Sequence, residues 1–225
     1  MTKLPDKPAM QDKLLNQLTR GGQMLGLALT DKQKAVLVRY VVELHKWNQA
    51  YNLTAIRDTE GIMRRHVIDA LSIVRYVRKY QPKNIADIGS GAGIPGVVLA
   101  IVLPETSLYL VESIGKKCRF LRYVTALLNL DHRVTIVQKR VEQWHPQELF
   151  SVITCRAFAS LKDFVELTQH LGCRQTVWLA MKSAHTAKER IQLPNNFTLC
   201  QNIELDVPFE DAGRHLLILK MRTPI

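Results

Sequence analysis

The spacing of hydrophobic positions changes near residue 83. Before it, apolar residues recur at helical spacing. Met10, Leu14 and Leu18 form a first stripe, interrupted at Gly21 and Gly22. A second helix is predicted to start at Thr30, where Thr30-x-x-Gln33 has the form of a capping box. Leu37, Tyr40, Val41, Leu44 and Trp47 make its apolar face, and Val67, Ala70, Leu71, Val74 and Val77 mark a third helix. The segment 47–56 between them reads as a connection. Trp47 reads as a core residue rather than a base-stacking platform.

After residue 83, short β-rich runs alternate with helical patterns. The runs are Ile85–Ile88, Leu108–Val111, Val134–Val137, Val152–Cys155, Thr176–Met181, Ile203–Val207 and Leu216–Met221. Helical patterns separate the first five, the last of them opening at Ser160-x-x-Asp163. This alternation requires β-α-β crossovers and a mostly parallel sheet. Only Pro208 to about Arg214 separates the final two runs, and a parallel crossover takes about a dozen residues, so these two form an antiparallel hairpin. The predicted fold is α/β and Rossmann-like: a mostly parallel seven-stranded sheet with a C-terminal antiparallel hairpin, preceded by N-terminal helices. Residues 1–82 form the helical region and 83–225 the sheet domain.

The chain has 225 residues, 47% hydrophobic and 23% charged, which excludes a disordered or collagen-like protein. Its 31 Lys and Arg against 20 Asp and Glu leave a net charge of +11. Such a balance suits a polyanion, either nucleic acid or an acidic membrane face, unless it serves solubility alone. Residues 1–82 hold 14 Lys and Arg against 7 Asp and Glu, or +7, and the rest of the chain holds +4. The longest apolar stretch, Ile94–Leu103, contains Pro95 and Gly96 and is too short to span a bilayer. The first ten residues mix charges with prolines, so no secretory leader and no membrane partner are expected. Cys118, Cys155, Cys173 and Cys200 are scattered without zinc-ligand spacing. A cytoplasmic location and the absence of a metal site are therefore expected.

Residues 85–96 read IADIGSGAGIPG. A strand ends at Asp87 and Ile88, glycines follow at 89, 91 and 93, and Pro95 opens a helix. Such a loop brings bare backbone close to a ligand at the carboxyl end of a strand. Gly91-x-Gly93-x-x-Gly96 matches the dinucleotide fingerprint. The longer Asp87-x-Gly89-x-Gly91-x-Gly93 resembles motif I of the class I S-adenosylmethionine-dependent methyltransferases. Glu112, at the end of the second strand, suits the ribose hydroxyls in both readings. A dehydrogenase would need a substrate domain after this fold, and only the hairpin remains, which favours the methyltransferase.

The third strand is followed by Lys139, Arg140, Val141 and Glu142, placed to meet an adenine ring through the Val141 backbone and the Glu142 carboxylate; a plain helix start with an acidic first turn is the alternative. The fourth strand ends in Thr154, Cys155 and Arg156. Cys155 faintly echoes the nucleophile of cytosine-C5 methylases, although a small apolar strand residue is the commoner role of such a cysteine. A guanidinium at Arg156 needs a carboxylate or phosphate partner. His66 and Asp69, at i and i+3, read as a hydrogen-bonded surface pair. Arg64 to His66 form a cluster that is either solvated or phosphate-facing, and Lys116 and Lys117 are either solvated or near the cofactor mouth.

Several motifs occur in order: Trp47-Asn48-x-x-x-Asn52-Leu53-Thr54-Ala55-Ile56, Arg65-His66-x-x-Asp69, the glycine loop, Glu112-Ser113-x-x-Lys116-Lys117, Arg140-Val141-Glu142, Arg156-Ala157-Phe158-Ala159-Ser160-Leu161 and Gly213-Arg214-His215-Leu216. Together, from about residue 30 to 221, they resemble the bacterial small-subunit ribosomal RNA methyltransferase G family, also called glucose-inhibited division protein B. Ser183 departs from the glycine expected after Lys182, and Thr154-Cys155 from the usual serine before the arginine. The resemblance implies a class I fold and transfer of a methyl group from S-adenosylmethionine to N7 of guanine 527 of 16S ribosomal RNA, presented as RNA or as the small subunit. It also implies cofactor contacts at Gly89, Ile94, Val141, Glu142 and Arg156, which join Gly91 and Glu112 from the motif reading. Guanine N7 carries an in-plane lone pair and no proton, so no general base or nucleophilic side chain is expected. Arg140, Lys182, Arg214 and His215, beside Arg156, are the candidates for holding RNA. The competing functions are an RNA cytosine-C5 methyltransferase using Cys155 and a non-catalytic RNA-binding protein.

Overall fold

The computed structural model describes residues 7–156, 158, 160–183 and 193–222. Ala157 and Ala159 of the Arg156 motif lie outside these residues. Two long helices come first, α1 (Lys7–Met24) and α2 (Asp31–Tyr51). The Thr30 capping box is present, its hydroxyl accepting from the Gln33 N–H at 3.2 Å and the Gln33 amide oxygen accepting from the Thr30 N–H at 3.0 Å. Gly21 and Gly22 do not interrupt α1. A Cβ on Gly21 would lie 2.7 Å from Ile68 Cδ1, so the missing side chain lets α1 close onto Ile68. The segment expected as connection is helical as far as Tyr51.

The third helical stripe is several pieces rather than one helix. α3 (Thr59–Ile62) passes into a π-helical turn over Met63–Ile68, followed by α4 (Asp69–Leu71) and α5 (Val74–Arg78). Each π turn carries one more residue than an α turn, so it redirects side chains, and such turns frequently occur at functional sites. This one contains Arg64, Arg65 and His66.

The sheet strands are β1 (Asn84–Ile88), β2 (Ser107–Val111), β3 (Val134–Val137), β4 (Val152–Arg156), β5 (Val177–Ser183), β6 (Phe197–Leu205) and β7 (Arg214–Met221). Helices α6 (Gly96–Val102), α7 (Gly115–Leu127) and α8 (Leu161–Thr168) and a 3₁₀ turn (Val141–Gln143) connect them. The order across the sheet is β3-β2-β1-β4-β5-β7-β6. The first five strands are parallel, and β7 is antiparallel to both β5 and β6. The hairpin therefore inserts its second strand beside β5. β6 begins six residues before the expected start at Ile203.

Alternate strand residues serve opposite faces. Ile85 packs with α1, α2, α6 and α7 in one core, and Ala86 and Ile88 pack with α8 in the other. The first core runs unbroken from Leu14 and Tyr40 to Val97 and Leu121, so the helical region and the sheet domain share it. β1 and β4 are neighbours at the point where the strand order reverses, where open α/β sheets take ligands.

Candidate functional site

The glycine loop leaves β1 with Gly89 and Gly91 at φ of +68° and +60°, a region that favours glycine. A Cβ on Gly89 would meet nothing within 4 Å, and one on Gly91 only the Gly89 carbonyl. The backbone here is bare and faces open space. Gly93 and Gly96 have a different task, since a Cβ there would strike Val97 or Leu110. Tyr40 of α2 supports the loop by donating from its hydroxyl to the Ala92 carbonyl at 2.7 Å.

Glu112, just past β2, is 6% exposed. Its Oε2 accepts from the Gly91 N–H at 3.0 Å and its Oε1 from the Ile114 N–H at 2.8 Å. The carboxylate thus anchors the loop and retains lone pairs for further donors. Lys117 Nζ lies 3.8 Å away, which puts that lysine beside the loop rather than on a remote solvated face. Ile94 is buried in the loop, Val141 is buried in the 3₁₀ turn after β3, and Glu142 beside it is exposed. Beneath the loop, buried Asp87 accepts from the Gly96 N–H at 3.0 Å through Oδ2, while its Oδ1 has no hydrogen-bond partner. An open glycine cradle, an anchored carboxylate at the next strand end and an unsatisfied buried oxygen together fit a cofactor with ribose hydroxyls and a donor group.

Across the switch point lies a cavity of about 440 Å³ lined by Arg65, Arg156, Lys182, Arg214 and His215, with Asp69 among them. Lys182 is 6% exposed and its ammonium donates to the Phe158 carbonyl at 2.5 Å. β5 continues through Ser183, which pairs with Arg214. His215 Nδ1 lies 2.9 Å from Asn202 Oδ1. Arg140 is exposed beyond β3, and two strands, β2 and β1, separate β3 from β4 at this cavity.

His66 and Asp69 are not a surface pair. Both are buried, and both meet Arg156, whose Nη2 is 3.0 Å from His66 Nδ1 and whose Nη1 is 3.1 Å from Asp69 Oδ2. The π turn and the start of α4 carry these two side chains toward β4 and β7. Burial, reinforced by Arg156, holds the His66 imidazole down at about 3. Burial also raises the Asp69 carboxyl, against the pull of Arg156 and Arg214. The partner required by Arg156 is therefore Asp69. The Arg65-His66-x-x-Asp69 motif held the signal, but the contacts across the fold that bury it were not readable from spacing.

Cys155 is fully buried in β4. Burial pushes its thiol well above the ordinary range, opposite to an activated thiolate. Among the described residues, no group of three or more His, Cys, Asp or Glu could hold a metal ion, and no helix is long and apolar enough to cross a membrane.

The sequence profile of a family described as rRNA small subunit methyltransferase G matches residues 33–217. A protein named ribosomal RNA small subunit methyltransferase G from Stutzerimonas stutzeri is 46% identical over 204 residues, covering 91% of this chain and 94% of the relative. One of the same name from Pseudomonas aeruginosa is 45% identical over 205 residues, with the same coverage. Among solved structures, a putative O-methyltransferase from Klebsiella pneumoniae superposes with a TM-score of 0.61 at 14% identity, covering 95% of this chain and 100% of that one. This last likeness concerns the fold alone.

Proposed function

Because the chain belongs to the rRNA small subunit methyltransferase G family, we propose that it transfers a methyl group from S-adenosylmethionine to N7 of a guanine in 16S ribosomal RNA. The observation that carries this reading is the meeting, at the carboxyl ends of β1 and β4, of an open glycine cradle with a cationic cavity. When bound, S-adenosylmethionine supplies a methyl group on a positively charged sulfur. Gly89, Gly91 and Ile94 would lie along it, Glu112 would take its ribose hydroxyls, and Val141 and Glu142 would meet its adenine. Arg156 stands between cradle and cavity and would touch cofactor and target together.

The remaining task for the protein is alignment. Guanine N7 needs no proton removed, so rate comes from holding the base in line and from the field around the reacting atoms. Arg156, Arg214, His215 and Lys182 offer positive charge and donors for a phosphate or the purine O6 edge. The base must leave its stack to reach them. Arg140, beyond the opposite strand edge, would contact RNA flanking the target.

Calorimetric titration tests the cofactor. S-adenosylmethionine should bind and NAD should not. Glu112→Gln should weaken binding by about 1–3 kcal/mol, as expected when hydroxyls lose a charged acceptor. Binding of NAD in place of S-adenosylmethionine would refute the reading.

A further inference from the structure

Asp69 is the one carboxylate among the described residues lining the cationic cavity. A buried negative charge there opposes the attraction of a polyanion. Its geometry supplies a different role. Oδ2 accepts from Arg156 Nη1 at 3.1 Å, and Oδ1 lies 3.4 Å from Arg214 Nε. One carboxylate from the helical region thus bridges two guanidiniums, one on β4 and one on β7.

Arg156 is held at two further points. Its Nη1 donates to the Arg65 carbonyl at 3.0 Å, and its Nη2 reaches His66 Nδ1 at 3.0 Å. His66 Nδ1 also lies 3.0 Å from the Arg65 carbonyl, which already accepts from Arg156. A guanidinium only donates, so toward Arg156 the Nδ1 lone pair is the acceptor, and in this tautomer the ring proton sits on Nε2. There it donates to Thr54 Oγ1 at 2.7 Å. Thr54 is fixed in turn, its N–H donating to Asn48 Oδ1 at 2.8 Å while Asn48 Nδ2 donates to the Ile56 carbonyl at 2.8 Å. The chain of bonds runs from α2 through the π turn to the cavity. Three N–H groups of Arg156 are engaged this way, which leaves Nε and one Nη2 proton without an acceptor among the described residues.

We propose that Asp69 and His66 are positioning residues that hold Arg156 and Arg214 as a fixed pair of guanidiniums for the oxygens of the target nucleotide, an inference that rests on the function proposed above. Asp69→Asn keeps the shape and removes the charge. At saturating 16S ribosomal RNA, its single-turnover rate should fall by about 100-fold, the scale of a small misplacement of reacting groups. Its RNA Kd should stay the same or tighten, because the cavity gains positive charge. Affinity lost in step with rate, or a wild-type rate, would overturn the proposal.

His66 gives a second pair of variants. His66→Asn places an acceptor near Nδ1 and should keep the rate within about threefold, whereas His66→Gln places it near Nε2 and should lose about 100-fold. Equal loss in both contradicts the positioning role, and this pair decides if Asp69→Asn does not fold. A readout independent of turnover is the ¹⁵N spectrum of the arginine guanidiniums. Wild type should show resolved, slowly rotating Arg156 Nη signals that average in Asp69→Asn, and unchanged spectra would overturn the clamp. Wild-type protein that methylates no ribosomal RNA would defeat the function proposed above, and the spectra would still decide the clamp.

Discussion

At the end of β1, Asp87 holds the Gly96 N–H with one oxygen and has no partner for the other. Burial pushes its carboxyl up to about 7, against the bond from Gly96. In the unfolded chain an aspartate releases its proton near about pH 3.9. Between those values the folded protein keeps a proton that the unfolded chain has lost. The contribution of Asp87 to stability therefore declines as pH rises from about 4 to about 7 and levels off above that. Asp87→Asn cannot ionise, so its stability relative to wild type should rise across the same window. Urea unfolding of both proteins at several pH values checks this, and a difference that does not vary with pH would show that Asp87 is ionised in the fold.

The close approach of α1 to the π turn depends on Gly21. Alanine favours a helix over glycine by about 1 kcal/mol, but its Cβ would press on the buried Ile68 side chain. Overpacking costs about 1–3 kcal/mol, so Gly21→Ala should destabilise the protein by about 1 kcal/mol. Ile68→Val removes the closest atom, and the double variant should recover most of that loss relative to Ile68→Val alone, as read from urea midpoints in a double-mutant cycle. Full additivity would show that Gly21 is not a packing site. The same elements show what sequence spacing reveals. β1 to β5 were readable within a residue or two because each is a short apolar run, and in β1, β4 and β5 burial on both faces demands one. The start of β6 was not: it is an edge strand with exposed Gln201 and Asn202 and a register shift between Leu199 and Gln201, so its polar residues read as loop. The glycine loop and Glu112 were readable because their residue types carry the constraint. The burial of His66 and Asp69 was not, because β4 and β7 supply it from far along the chain.

The net charge of +11 acts at the scale of the whole molecule. Removing the first 60 residues would strip Leu14, Tyr40 and Leu44 from the shared core, so charge is better tested by point substitution. Exposed Arg140 lies away from the cavity, and Arg140→Gln should reduce the slope of log affinity against log salt by about 0.7–0.9 for one lost phosphate contact. Its rate at saturating RNA should be unchanged, and an unchanged slope would remove Arg140 from the RNA surface. We propose that these parts together deliver a methyl group to guanine N7 with no side-chain nucleophile. This is tested most directly by incubating the protein with S-adenosylmethionine and unmethylated small-subunit RNA, digesting the RNA to nucleosides and identifying the methylated product. The expected product is N7-methylguanosine, formed by wild type and by Cys155→Ser alike. A product of C5-methylcytidine that disappears in Cys155→Ser would contradict it.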